Sequence, residues 1–409
     1  MKREDISLLQ QKKLKILFLL LPFLIGLCVD LYIPSLPKIT IYYNIQISIV
    51  QLTITSYLLG YSAGQILLGT LSDYYGRKRI LLFSCICCAL VSFVSGFSPN
   101  IYYLIVFRLF QGIAIAGLGS VIRAIATDCF AGIALNNIMS NIALSWGLGP
   151  IIGPFLGAYL QYYFNWKANF IFLGLYGTFL SIYIAVMIPE TNKNITTINY
   201  GALKELCINI KNILIHPIFL CYTVLLSLIY GGVLILFNIT GPFLIQNVLK
   251  YSVINYGYMA LFLGSGYFFG CYINKLTISY VKPHKVSIIA ILCGIIVSIT
   301  MICLGEFLVI NLYIILIPIF ILLFLSGLIF PNMMSSCLEL FSHCGGTVSA
   351  VYGTCLLGGT SIITVFTTTI NTNSQLPMAY MYTFMFIASF IIFIIAYKLR
   401  KRSYTTGYS

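Results

Sequence analysis

The chain is 409 residues long, 60% hydrophobic and 8% charged, where soluble domains carry about 25% charged residues. This excludes a soluble enzyme held by a single anchor. It also excludes a membrane β-barrel, whose strands alternate polar and apolar over about ten residues, because the run 16–27 is apolar throughout. The net charge of +14 is a matter of topology. With both termini inside, nineteen of the 23 basic residues fall on the cytoplasmic side, Lys38, Lys167 and Lys250 fall outside, and Arg108 lies within a span. The positive-inside rule accounts for that bias, and no nucleic-acid partner is expected.

In chain order, a cytoplasmic N-terminus over 1–13 leads into six expected spans near 14–37, 47–71, 79–97, 101–124, 134–160 and 168–188. They form a first six-helix bundle over 14–189, and the polar stretch 190–216 reads as a cytoplasmic linker. Six further spans follow near 217–245, 252–276, 285–305, 310–335, 346–370 and 378–398, making a second bundle over 217–398 before a cytoplasmic tail over 399–409. The fold class is therefore an all-α membrane protein with twelve transmembrane helices in two bundles. The halves read as degenerate copies. Gly69 to Asp73 is matched by Gly270 to Asn274 at an offset of 201, and Asp30 to Pro34 by Asn238 to Pro242 at an offset of 208. Repeats facing a midplane cavity are a common plan among secondary transporters.

An ionisable side chain at membrane depth costs at least about 2.5 kcal/mol, so each one calls for a reason. Asp30 in the first span and Arg108 in the fourth stand at similar depth, about 10 Å from the outer ends of their helices at 1.5 Å per residue. An acid whose charge balance changes as a cavity hydrates suits a proton carrier. The competing reading is a fixed ion pair joining two helices. In the loop after the second span, Gly76 supplies the turn and Asp73 sits among the cations Arg77, Lys78 and Arg79. Asp128, at the cytoplasmic end of the fourth span, is placed to pair with Arg77 as an ionic latch on the inner face. In the fifth span Gly149, Gly153 and Gly157 form a bare stripe for close helix contact, and Pro150 and Pro154 add a bend. The thirteen cysteines lie mostly in apolar runs and read as packing, with no metal site.

These passages resemble the major facilitator superfamily and, within it, the twelve-span drug:proton antiporters. Gly69 to Arg79 is similar to the signature between spans two and three, departing at Tyr74, where a basic residue is usual. Arg108, Gln111 and Gly112 resemble the span-four motif linked to proton transfer, and Gly149-Pro150-Ile-Ile-Gly153 the antiporter motif of span five. Finer resemblance is to the Bcr/CflA group, known for bicyclomycin and chloramphenicol resistance. It rests on Asp30 to Pro37, Gly64-Gln65, Arg123-Ala-Ile, Pro189-Glu190-Thr191, Gly241-Pro242-Phe243, Phe330-Pro331-Asn332 and Gly346 to Ala350.

The resemblance implies the major facilitator fold, with a proton site at Asp30 and an inner gate at Asp73, Arg77 and Asp128. It implies a substrate cavity that includes Tyr57, Tyr61, Gln65, Gln111 and Asn238. Relatives that couple through two span-one acids differ from this chain, which has Pro22 eight residues before Asp30. The expected protein is a monomeric bacterial inner-membrane carrier, not an enzyme. It exchanges protons for small apolar or amphipathic compounds, with no cofactor beyond the proton gradient. The alternative is a metabolite or siderophore carrier on the same scaffold.

Overall fold

The computed structural model describes residues 8–192, 200–277, 280–341, 345–370 and 372–406. The expected anchors Lys2, Arg3 and Lys193 lie outside the described residues. The chain divides into two compact units, Met1–Leu206 and Cys207–Ser409.

Unit 1 opens with α1 (Leu8–Asp30), which stops at Asp30 and resumes after a 3-10 turn (Ile33–Ser35) as α2 (Leu36–Tyr43). Pro34 and Pro37 lie just beyond the break. Lacking an amide hydrogen, proline suits the first turn of a new helix better than the interior of an old one. The unit continues with α3 (Ile47–Tyr75), α4 (Arg77–Gly96), α5 (Ile101–Cys129), α6 (Gly132–Tyr163) and α7 (Lys167–Met187). Asn100 caps α5 by accepting from the amides of Tyr102 at 3.0 Å and Tyr103 at 3.2 Å. A further helix, α8 (Tyr200–Ile215), lies within the polar stretch after α7.

Unit 2 opens with an irregular helix: α9 (Pro217–Ile229), a π-helical turn (Tyr230–Ile235), α10 (Leu236–Phe243) and a second π-helical turn (Leu244–Val248). It continues with α11 (Val253–Thr277), α12 (Pro283–Phe307), α13 (Leu312–Glu339), α14 (Gly345–Thr367) and α15 (Leu376–Thr406). His216 caps α9, its Nδ1 accepting from the Phe219 amide at 3.3 Å, and its ring rests 5.2 Å from that of Phe341. It is thus a helix cap, and burial lowers the pKa of its imidazole.

Neighbour relations are the same in both units. Counting six long helical segments in each, the second packs on the fourth (α3 on α5, α11 on α13) and the first on the fifth (α1 on α6, α9 on α14). The third packs on the sixth (α4 on α7, α12 on α15) and also on the fourth. Among the described residues, ten helical segments are long and apolar enough to cross a membrane. The others of comparable length, α3 with 29 residues and α11 with 25, are the second segment of each unit. Both carry glycine, tyrosine and amide side chains where their neighbours carry aliphatic ones.

Glycines set the close crossings. A Cβ on Gly60 would run into the Leu109 carbonyl, and one on Gly64 into Ala116 and Ile113. In unit 2, Gly266 and Gly270 stand in the same way against Phe320 and Phe324. The packing equivalence therefore pairs residues 206 apart in the sequence. The motif offset of 201 matches Gly270 with Gly69, which meets only the Ser120 side chain at ordinary contact distance.

Candidate functional site

Asp30 is 2% exposed and occupies the last position of α1. The α6 stripe lies directly on it. A Cβ on Gly153 would come within 3.2 Å of the Asp30 Cβ, while Gly149 abuts Gly26 and Gly157 abuts the Leu31 carbonyl. Side chains at these three positions would hold α6 away from the broken end of α1. Pro150 and Pro154 lie inside α6 between the contacts.

Arg108 is the largest fully buried side chain described. Its guanidinium lies 4.4 Å from the ring centre of Tyr32 and 4.2 Å from that of Tyr57. Nη1 donates to the Cys28 carbonyl at 2.9 Å and to Gln111 Oε1 at 2.5 Å. Gln111 in turn donates to Ser92 Oγ at 2.7 Å, and Ser92 to the Cys88 carbonyl at 2.6 Å. Tyr32 Oη and Thr53 Oγ1 are 2.8 Å apart. Arg108 forms no ion pair among the described residues, and its Nε and Nη2 are buried without a hydrogen-bond partner. Its charge acts on Asp30. The two are therefore electrostatic neighbours and not a contact ion pair. Two aromatic faces and neutral acceptors hold the guanidinium. A desolvated cation–π contact is worth about 2 kcal/mol, so the arrangement retains the charge without consuming the acid.

A second cluster stands where α3 gives way to α4. Gly76 has φ +97°, a conformation that side chains strain to adopt. Arg77 Nη1 is 2.5 Å from Asp73 Oδ1 and 2.6 Å from Ser72 Oγ, and its Nε is 3.1 Å from Asp128 Oδ2. Sequence reading missed the role of Glu190. Its carboxylate accepts from the amides of Arg77 at 2.9 Å and Lys78 at 3.1 Å, capping α4 from the far end of α7. It also accepts from the amides of Thr191 and Asn192, both at 2.9 Å. A Cβ on Gly76 would lie 2.5 Å from Glu190 Oε2, so that glycine serves both the turn and the cap. The signal available in the sequence was an acid directly after the proline that ends α7. Gly69 lies one turn before Asp73, and its carbonyl accepts from Ser72 Oγ at 2.6 Å, the same hydroxyl that meets Arg77.

Of the expected cavity residues, Tyr57, Tyr61, Gln65 and Gln111 are buried in unit 1 around Arg108 and Arg123. Asn238 is half-buried on α10 of unit 2, between the two π-helical turns. Among the described residues, the unit 2 positions matched by motif form no ion-pair cluster. There Asn274 and Asn332 exchange amide hydrogen bonds of 3.2 and 2.8 Å. Cys85 donates to the Gly177 carbonyl at 3.4 Å, tying α4 to α7.

This repeated six-helix plan, with a buried acid and a buried cation in its first unit, is that of a membrane transporter. Residues 18–364 match the family model of the Major Facilitator Superfamily, and the chain belongs to that family. It is 28% identical over 272 residues to an uncharacterized transporter of Rickettsia bellii, an alignment spanning 65% of each chain. It is 30% identical over 165 residues to a bicyclomycin resistance protein homolog of Haemophilus influenzae, covering 40% of this chain and 42% of that one. The fold superposes on a D-xylose-proton symporter with a TM-score of 0.74, at 13% identity and covering 95% of this chain and 97% of the other.

Proposed function

We propose that the protein exports small apolar or amphipathic compounds across a bacterial inner membrane in exchange for protons, as a drug:proton antiporter of Bcr/CflA type. Twelve helices cross the membrane, α3 and α11 included, with both termini cytoplasmic and the chain acting as a monomer. The observation that carries the reading is the placement of Asp30, buried at the break in α1, against the α6 glycine stripe and beside a cation with neutral partners. A proton arriving from outside neutralises Asp30, which releases the substrate and permits return to the inward-facing state. Loss of that proton to the cytoplasm restores binding. Arg108 keeps the carboxylate within reach of a positive potential in a low-dielectric site. The cluster of Asp73, Arg77 and Asp128, with Glu190, latches the cytoplasmic end of unit 1 in one state of the cycle. The resistance homolog among the relatives supports a drug as cargo.

The test uses respiring everted vesicles and a pH-sensitive dye, with bicyclomycin, chloramphenicol and ethidium as probes. Wild-type vesicles release lumenal protons on addition of at least one probe, and Asp30→Asn vesicles carrying equal amounts of protein release none. Proton release that survives in Asp30→Asn overturns the assignment.

A further inference from the structure

The candidate span of α5 holds a second guanidinium, and the coupling scheme makes no use of it. Arg123 lies on α5, fifteen residues beyond Arg108 and six before the helix ends at Cys129. The contacts of Gly64 with Ile113 and Ala116, and of Gly69 with Ser120, place Arg123 level with Ser72 on the neighbouring α3. Its Nη2 nevertheless donates to Gln65 Oε1 at 3.3 Å. Gln65 stands seven residues, about 10 Å of helix, further from the end that carries Asp73 and Asp128. The side chain therefore extends toward the middle of the bundle and away from that end. A snorkelling arginine does the opposite, running its charge to the nearest aqueous surface.

Asp128, only five residues along α5, is engaged by Arg77. Arg123 takes part in no ion pair among the described residues. A guanidinium has five N–H donors, and this one meets a single neutral acceptor while remaining half-buried. Gln65 is 4% exposed. The Tyr61 hydroxyl lies over Gly119, where a Cβ would stand 3.1 Å from it. Gly119 is one turn before Arg123. Guanidinium, amide and phenol thus gather three kinds of donor, with only the neutral oxygens of Gln65 and Tyr61 as acceptors among them, beside the edge-to-face rings of Tyr57 and Tyr61, whose centres are 6.1 Å apart.

We infer that Arg123, Gln65 and Tyr61 form a subsite for the anionic group of an aromatic organic acid, whose ring packs on Tyr61 and Tyr57. The carboxylate supplies the acceptors and the negative charge that the protein side chains at this point do not. Charge-assisted bonds to a planar fork make arginine the side chain best suited to such a group. This inference rests on the transporter reading only in treating the ligand as cargo. It is independent of the direction of transport and of Asp30.

The test is binding of tritiated 2-naphthoate and of its methyl ester to the purified full-length protein, with unlabelled competitor removing detergent partition. Wild type binds the acid at least about tenfold more tightly than the ester, the expected scale for hydrogen bonds to a charged group. Arg123→Gln binds the two within about twofold of each other, and Arg123→Lys, which keeps the charge, retains a preference for the acid. Gel filtration confirms that each variant is folded. Equal binding of acid and ester by wild type overturns the inference, as does an undiminished preference in folded Arg123→Gln. Binding needs no gradient, so a failure here leaves proton release through Asp30 standing, and failed proton release leaves this result standing.

Discussion

Arg108 is held by a carbonyl, an amide and two aromatic rings, all neutral groups, next to the buried acid Asp30. Gln111 is the most vulnerable part of that environment. Gln111→Leu leaves Nη1 with one acceptor and is expected to cost about 1–3 kcal/mol, read as a lower melting temperature of the purified protein. Unchanged stability would mean that Gln111 is a bystander. Glu190 makes a different claim. Glu190→Ala exposes the first amides of α4, and hydrogen exchange at Arg77 and Lys78 is expected to rise, with about 0.5–2 kcal/mol lost as for other helix caps. The Arg77–Asp73 pair, with Asp73 half-exposed, contributes only about 0.2–1 kcal/mol. The cap is thus expected to contribute at least as much to this loop as the Arg77–Asp73 pair. Asp30 and Arg108 were legible in the sequence because charge is scarce in lipid. Gln111 was legible as part of the span-four motif with Arg108, but the Cys28 carbonyl and the rings of Tyr32 and Tyr57 were not, since no spacing rule links them to Arg108.

Close helix crossings are set one glycine at a time, and α6 offers an internal control. Gly149 and Gly157 stand against the α1 backbone, whereas Gly147 has nothing within 4 Å of a Cβ. Gly149→Ala and Gly157→Ala are expected to destabilise by about 1–3 kcal/mol through overpacking. Gly147→Ala is expected to be neutral or to stabilise by about 0.5–1 kcal/mol from helix propensity. Equal melting temperatures for the three variants would remove the seam from the account. The small-residue spacing of α6 announced such a seam, but its partner could only come from tertiary structure. The partner is the broken end of α1, which brings Asp30 onto the stripe. The break itself was half legible. Pro34 and Pro37 signal it, yet the apolar run continues through it and reads as a single span. In the same way, the π-helical turns around α10 carry no sequence mark beyond Gly231, Gly232 and Pro242.

Across the whole chain, hydropathy and the central polar stretch account for two similar units, and the shared neighbour pattern gives that similarity a structural basis. The exact equivalence was less legible, because the functional motif and the crossing glycines follow different offsets. Topology can be checked at Cys207, which is exposed on α8. A membrane-impermeant maleimide is expected to label it in everted vesicles and not in intact cells, with Cys207→Ala as the control. Labelling in intact cells would place this segment outside. The proposed exchange of a proton for a substrate at Asp30 can be followed without a membrane. In weakly buffered detergent solution, adding whichever probe proves to be exported is expected to release protons from the purified wild-type protein and none from Asp30→Asn. Equal release from both proteins would contradict the central claim.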